Sequence, residues 1–133
     1  MRLISRTFVI VVALCGLGVA GVVYAEGFGV KEYDDFHHVL HHLQHEALPK
    51  NDLATIRNRA EELVKLGDAI VKLGVPAKTK TEKVEEFKKE LANFDKTLAK
   101  YGADAKSGSD ADLKKSYEAV HESFEELAEM LPR

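Results

Sequence analysis

The chain has 133 residues, with 19 Lys and Arg against 22 Asp and Glu, a formal net charge of −3, six histidines and one cysteine. That length suits one small domain, and the mildly acidic balance argues against nucleic acid and anionic membrane as partners.

At the N-terminus, Arg2 and Arg6 precede the uncharged run FVIVVALCGLGVAGVV, which meets Tyr24, Ala25 and then Glu26. This is the layout of a signal peptide, with a basic start, an apolar middle and a small-residue exit, and it predicts cleavage after Ala25. The expected organisation is therefore a signal peptide over 1–25 and one domain over 26–133, in the periplasm or secreted. The competing reading is an uncleaved anchor, but the run is shorter than the roughly 20 apolar residues a spanning helix needs and it contains glycines. Lipidation at Cys15 is a further option, although Leu14 stands where a lipoprotein signal carries a small residue.

Removing 1–25 from 133 residues leaves 108, and the only cysteine leaves with them. Disulfides, thiolate zinc sites, a cysteine nucleophile and the C-x-x-C-H haem attachment are then excluded. Any ligand is held through nitrogen and oxygen. All 22 acidic residues stay in the remainder against 17 basic ones, a net charge near −5.

Four segments then repeat apolar residues at spacings of three and four, the pattern of a helix facing a bundle core. The first carries Tyr33, Phe36, Leu40, Leu43 and Ala47, and Pro49 is its stop. The second follows the cap candidates Asn51 and Asp52, carries Leu53, Ile56, Ala60, Leu63, Gly67 and Ile70, and ends at Gly74 before Pro76. The third opens on a capping box, Thr79 with Glu82, and runs through Val84, Phe87, Leu91, Phe94, Leu98 and Tyr101 to Gly102. The fourth opens with Ser109 and Asp112 and carries Leu113, Tyr117, Val120, Phe124, Leu127 and Leu131 before Pro132. No segment alternates as a strand does. Short Gly-, Pro-, Asp- and Ser-bearing breaks join them, which predicts antiparallel neighbours and an all-α, up-down-up-down four-helix bundle.

Five of the six histidines fall within FHHVLHHLQHEALP, residues 36–49. At about 100° per residue, with His37 at zero, His41 lies near 40°, His45 near 80°, His38 near 100° and His42 near 140°, while the core residues lie near 240–300°. The histidines thus occupy an outer arc. His37 and His41 border one flank of the buried stripe, His38 and His45 point away from the core, and His42 nears the opposite flank beside Glu46. Neutral imidazoles at i and i+4 can share one first-row metal ion, and the arc offers His37 with His41, His38 with His42, and His41 with His45. Useful zinc sites need three or four ligands. The candidate third is His121, at the edge of the fourth helix's seam and level with about position 42 if the first and last helices run antiparallel. The hand of the bundle decides whether it meets His37 and His41 or His42 and Glu46, and the sequence leaves both open. The competing readings are a solvated histidine face and a packing role for His121.

Glu118 and His121 have the Glu-x-x-His spacing of di-iron carboxylate bundles, with Asp35 and His38 as a looser second pair. Glu118, however, is expected about 140° from the seam, facing solvent. No Gly-rich phosphate loop, nucleophile elbow or H-E-x-x-H motif is present, so no enzyme activity is expected.

The export signal, the length and the final-helix stretch KKSYEAVHESFEEL resemble periplasmic cytochrome bundles, the cytochrome c-prime family and the soluble b-type four-helix cytochromes. That resemblance implies a haem-binding histidine at His121, which with His37 or His41 would hold haem b by two imidazoles; the covalent attachment motif is absent. The first helix also resembles small exported helical proteins with a histidine-rich motif ending in a His-Glu-Ala-Leu-Pro type sequence, which implies metal binding. The expected function is binding of zinc, copper or nickel through His37, His41, His45, His121, His38 and His42, for buffering, sensing or delivery. The alternatives are a b-type haem bundle or a cofactor-free stress adaptor. A metal ion is the expected partner, and a homodimer is left open.

Overall fold

The computed structural model describes residues 27–132, so the expected signal peptide lies outside the described residues. Every regular element among the described residues is helical. In chain order these are α1 (Lys31–His42), a π turn (Leu43–Ala47), a 3-10 turn (Leu48–Lys50), α2 (Leu53–Asn58), α3 (Ala60–Leu73), a 3-10 turn (Thr81–Lys83), α4 (Val84–Ser107) and α5 (Asp110–Glu129). No helix among the described residues is long and apolar enough to cross a membrane.

The stripes expected from the apolar spacing are the core. Tyr33, Phe36, Leu40, Leu43 and Ala47 are buried before α2, joined by Val39; Ile56, Ala60, Leu63 and Ile70 are buried on α2 and α3. Phe87, Leu91, Phe94, Leu98 and Tyr101 face them from α4, and Leu113, Tyr117, Val120, Phe124 and Leu127 from α5. Gly67 is where α3 approaches α4 most closely: a Cβ there would stand 2.5 Å from Cδ1 of Leu98.

Contacts between elements give the register. On α1 and α5, Phe36 meets Phe124, while the Tyr117 hydroxyl donates to Oε1 of Gln44 at 3.1 Å, so numbers rise along one helix as they fall along the other. On α4 and α5, Phe94 meets Phe124 and Tyr101 meets Tyr117 in the same inverted order.

Local departures from the expected helices have identifiable causes. The first segment widens into a π turn, with the Leu48 N–H bonded to the Leu43 carbonyl. Pro49 explains the widening, because in an α-helix its ring would collide with the carbonyl four residues back, at His45. The chain then leaves through Asn51 at φ 52°.

The second segment is two helices, broken at Arg59. The Tyr101 hydroxyl donates to the Ile56 carbonyl at 2.6 Å, the acceptor that residue 60 would use in an unbroken α-helix. Asp52 caps α2, its carboxylate accepting from the Thr55 N–H.

The capping box expected at Thr79 and Glu82 is not formed. The Thr79 N–H closes a turn on the Pro76 carbonyl, its hydroxyl is buried without a partner, and α4 begins only at Val84. Nor does the third segment end at Gly102: α4 continues to Ser107. The Arg57 guanidinium donates to the carbonyls of Asp104, Ala105 and Gly108 and to Oδ1 of Asp110, at 2.9–3.2 Å. A cation there satisfies carbonyls that a helix end leaves unpaired and complements the negative end of the helix dipole. Ser109 caps α5 as expected, its hydroxyl accepting from the Asp112 N–H.

Two substitutions probe these contacts by chemical denaturation. Arg57→Ala is expected to cost about 2–3 kcal/mol, and Arg57→Lys to recover only part, since an ammonium lacks the planar fork. Gly67→Ala is expected to destabilise by roughly 1–2 kcal/mol, the crowding of Leu98 outweighing a gain of about 1 kcal/mol in helix propensity.

Candidate metal centre

The site begins with residues just before α1. The Phe28 N–H donates to Oδ1 of Asp34 at 2.7 Å, and Gly29 turns the chain at φ 75°. A Cβ on Gly27 would lie 2.4 Å from the same carboxylate, so glycine lets this arm fold back tightly. The Phe28 ring then stands edge-on to His37, with centroids 5.2 Å apart, and to Phe124, at 5.7 Å.

Between this arm, α1 with its π turn, and α5 lies an open cleft of about 340 Å³. Phe28, Leu40, Phe124 and Ala128 form its apolar floor. The first segment adds His37, His41, Gln44 and His45 to the lining, and α5 adds His121, Glu125 and Glu129. Gln44 is steadied by the Tyr117 hydroxyl.

The imidazoles form a short series along the cleft. His37 lies nearly parallel to the Phe124 ring, 18° from coplanar at 6.1 Å, and its centroid is 5.7 Å from that of His41. His41 and His45 are closer, at 4.3 Å. From α5, Nε2 of His121 lies 3.5 Å from Oε1 of Glu125. A carboxylate at this position can accept from the ring nitrogen that a metal leaves unused.

Burial holds the His37 pKa below its ordinary value of 6.5; His41, His121 and His45 push it further down, while Asp34 pulls it up. The direction of the shift favours the neutral form that a metal requires.

The flank left open by the sequence is therefore the one bearing His37 and His41. His121 shares their cleft, whereas Nδ1 of His42 lies 3.4 Å from Oε2 of Glu46, its neighbour one turn on, outside the cleft. His38 is exposed and also outside. His45, expected to point away from the core, is exposed and also lines the open cleft beside His41. The underwound π turn moves it, since fewer degrees per residue bring position 45 back toward position 41. Three of the arc's five imidazoles line the cleft, and His121 is the fourth there.

They are neighbours and not yet a coordination shell: among the described residues, no three His, Cys, Asp or Glu side chains converge as ligands of one ion. The di-iron spacing has no counterpart in the fold, since Glu118 is exposed, Asp35 is paired with Lys31, and neither lines the cleft.

Glu125 and Glu129 stand at the i+4 and i+8 positions from His121, so helical periodicity carries a signal for both that the search for imidazole ligands passes over. Phe28 has no such signal, because it lies outside any helix and reaches the cleft only through the fold. Comparison with protein-family models, characterised proteins and solved structures finds no match to this chain.

The depressed His37 pKa sets a direction for pH dependence. The unfolded chain takes up this proton near pH 6.5 and the folded chain resists it, so the contribution to stability is intact above that pH and is lost progressively below it. Melting temperatures of metal-free protein are expected to fall from about pH 7.5 to about pH 5, with a shallower fall in His37→Phe, which keeps the ring packing and removes the titration.

Proposed function

We propose that this chain is an exported four-helix bundle that binds a borderline divalent metal ion, zinc, copper or nickel, in the cleft between its first and last helices. The arrangement is up-down-up-down, with α2 and α3 together acting as the second rod; the inverted contact order of α1 with α5 and of α4 with α5 supports it. Its role is buffering, sensing or delivery of the ion in the periplasm or outside the cell.

The observation that carries the reading is that His37, His41 and His45 line one cleft with His121, which comes from a different helix. Imidazole nitrogen suits all three metals, and the affinity order favours Cu(II) among them. The solvent-exposed His41 and His45 are free to turn, and ordering each costs about 1 kcal/mol, small against the binding free energy of a three- or four-nitrogen site. His37, also exposed, rests against the rings of Phe28 and Phe124, which narrows its motion, and Glu125 stands beside His121. Glu129 in the lining lowers the cost of bringing a dication to an otherwise neutral imidazole set.

The haem alternative has less room. One turn from His121 the rings of Phe36, Phe94 and Phe124 meet with centroids 4.8–6.4 Å apart, which leaves a macrocycle only the open cleft.

The test is to assay metal in protein purified from cells expressing the full chain, and to record its visible spectrum. Stoichiometric zinc, copper or nickel is expected, with affinity falling as pH drops through the imidazole range. His121→Ala should weaken binding at least about tenfold, and Glu125→Gln by roughly 10–100-fold. A Soret band would replace this reading with haem, and unchanged affinity in H37A/H41A/H45A would remove the cleft from consideration.

A further inference from the structure

His38 and His42 take no part in the cleft, yet, like His37 and His41, they stand one helical turn apart on α1. Both lie within the α-helical turns of α1, ahead of the π turn, so they keep the one-turn spacing that places two imidazoles on one ion. His38 is exposed, and the His42 side chain is 42% exposed. Oε2 of Glu46 lies 3.4 Å from Nδ1 of His42, near enough for the carboxylate to accept from that nitrogen once an ion takes Nε2.

Two imidazoles fill half of a tetrahedral zinc shell, and among the described residues no third ligand is gathered with them. We propose that His38 and His42 are half of a zinc site that a second copy of this chain completes, one ion on a two-fold axis bridging two α1 helices. A two-fold interface presents the same patch twice, so the ligand set becomes four imidazoles with no new residue type. Charge favours the same closure: the ion brings 2+ to four neutral rings, and two Glu46 carboxylates, one from each copy, offset it. The proposal shares with the preceding one only that α1 imidazoles take a divalent ion; it does not need the cleft.

Sedimentation of the purified protein with EDTA, and then with zinc chloride, tests it. A monomer in EDTA whose mass doubles on adding zinc is expected, at one bridging ion per two chains. H38A/H42A should stay monomeric in zinc, and Glu46→Gln should need roughly 10–100-fold more zinc to reach the same dimer fraction. H37A/H41A/H45A should still double its mass, because its cleft is disabled and the outer pair is intact. A chain that stays monomeric in zinc, doubles without metal, or still doubles as H38A/H42A would overturn the proposal, with circular dichroism showing that each variant is folded. Zinc retained by H38A/H42A reports the cleft separately, so the failure of either site is read without the other.

Discussion

The Phe124 ring is the point on which the rest of the arrangement depends. It touches Phe28 from the arm before α1, Tyr33, Phe36 and His37 from α1, and Phe94 from α4, with centroid separations of 4.8–6.4 Å. Aromatic contacts of this kind have preferred geometries as well as area, so they set axial register where aliphatic packing alone tolerates sliding. With Phe124 level with Phe36, His121 one turn earlier on α5 can only fall beside the next turn of α1, where His41 is. The same ring gives His37 a face to lie against. Core packing and the candidate site are thus two sides of one residue.

A second constraint runs through tyrosines and one arginine. Tyr101 supplies a donor to the Ile56 carbonyl beside the α2–α3 break, and Tyr117 reaches Gln44 in the cleft lining. Arg57 holds the end of α4 to the start of α5. These polar contacts span distant parts of the sequence and lie where backbone groups would otherwise lack partners, so losing one exposes an unsatisfied acceptor and not merely a weaker contact. Tyr33 is the exception among these tyrosines, a buried hydroxyl without a partner. The rings of Phe28 and Phe124 beside it hold it in place by shape.

The parts of the fold legible in advance were those governed by local periodicity. Buried residues on every helix follow the three-and-four spacing, and the caps at Asp52 and Ser109 form as their side chains dictate. Expectations fail where a distant residue overrides a local signal. Gly102 does not end its helix because Arg57 satisfies carbonyls farther on, and the break at Arg59 lies where Tyr101 offers a competing donor; Thr79 is a local exception, its N–H taken by the Pro76 carbonyl three residues back. Pro49 stops its helix as its chemistry requires, but it also widens the preceding turn and so carries His45 into the cleft. That second effect has no counterpart in the apolar spacing.

Local residue order alone determined that the described chain is helical, which faces are buried, and that the histidines of α1 lie outside the core stripe at one-turn intervals, because 3.6-residue periodicity is a property of neighbours. It could not decide which flank of that arc meets His121, because the two hands of a bundle bury the same stripes and differ only in which helix lies to the left of which. Tertiary packing broke that symmetry: Phe124 packs against Phe36 and His37, the open cleft is lined by His37, His41 and His45 together with His121, and His38 and His42 lie outside it.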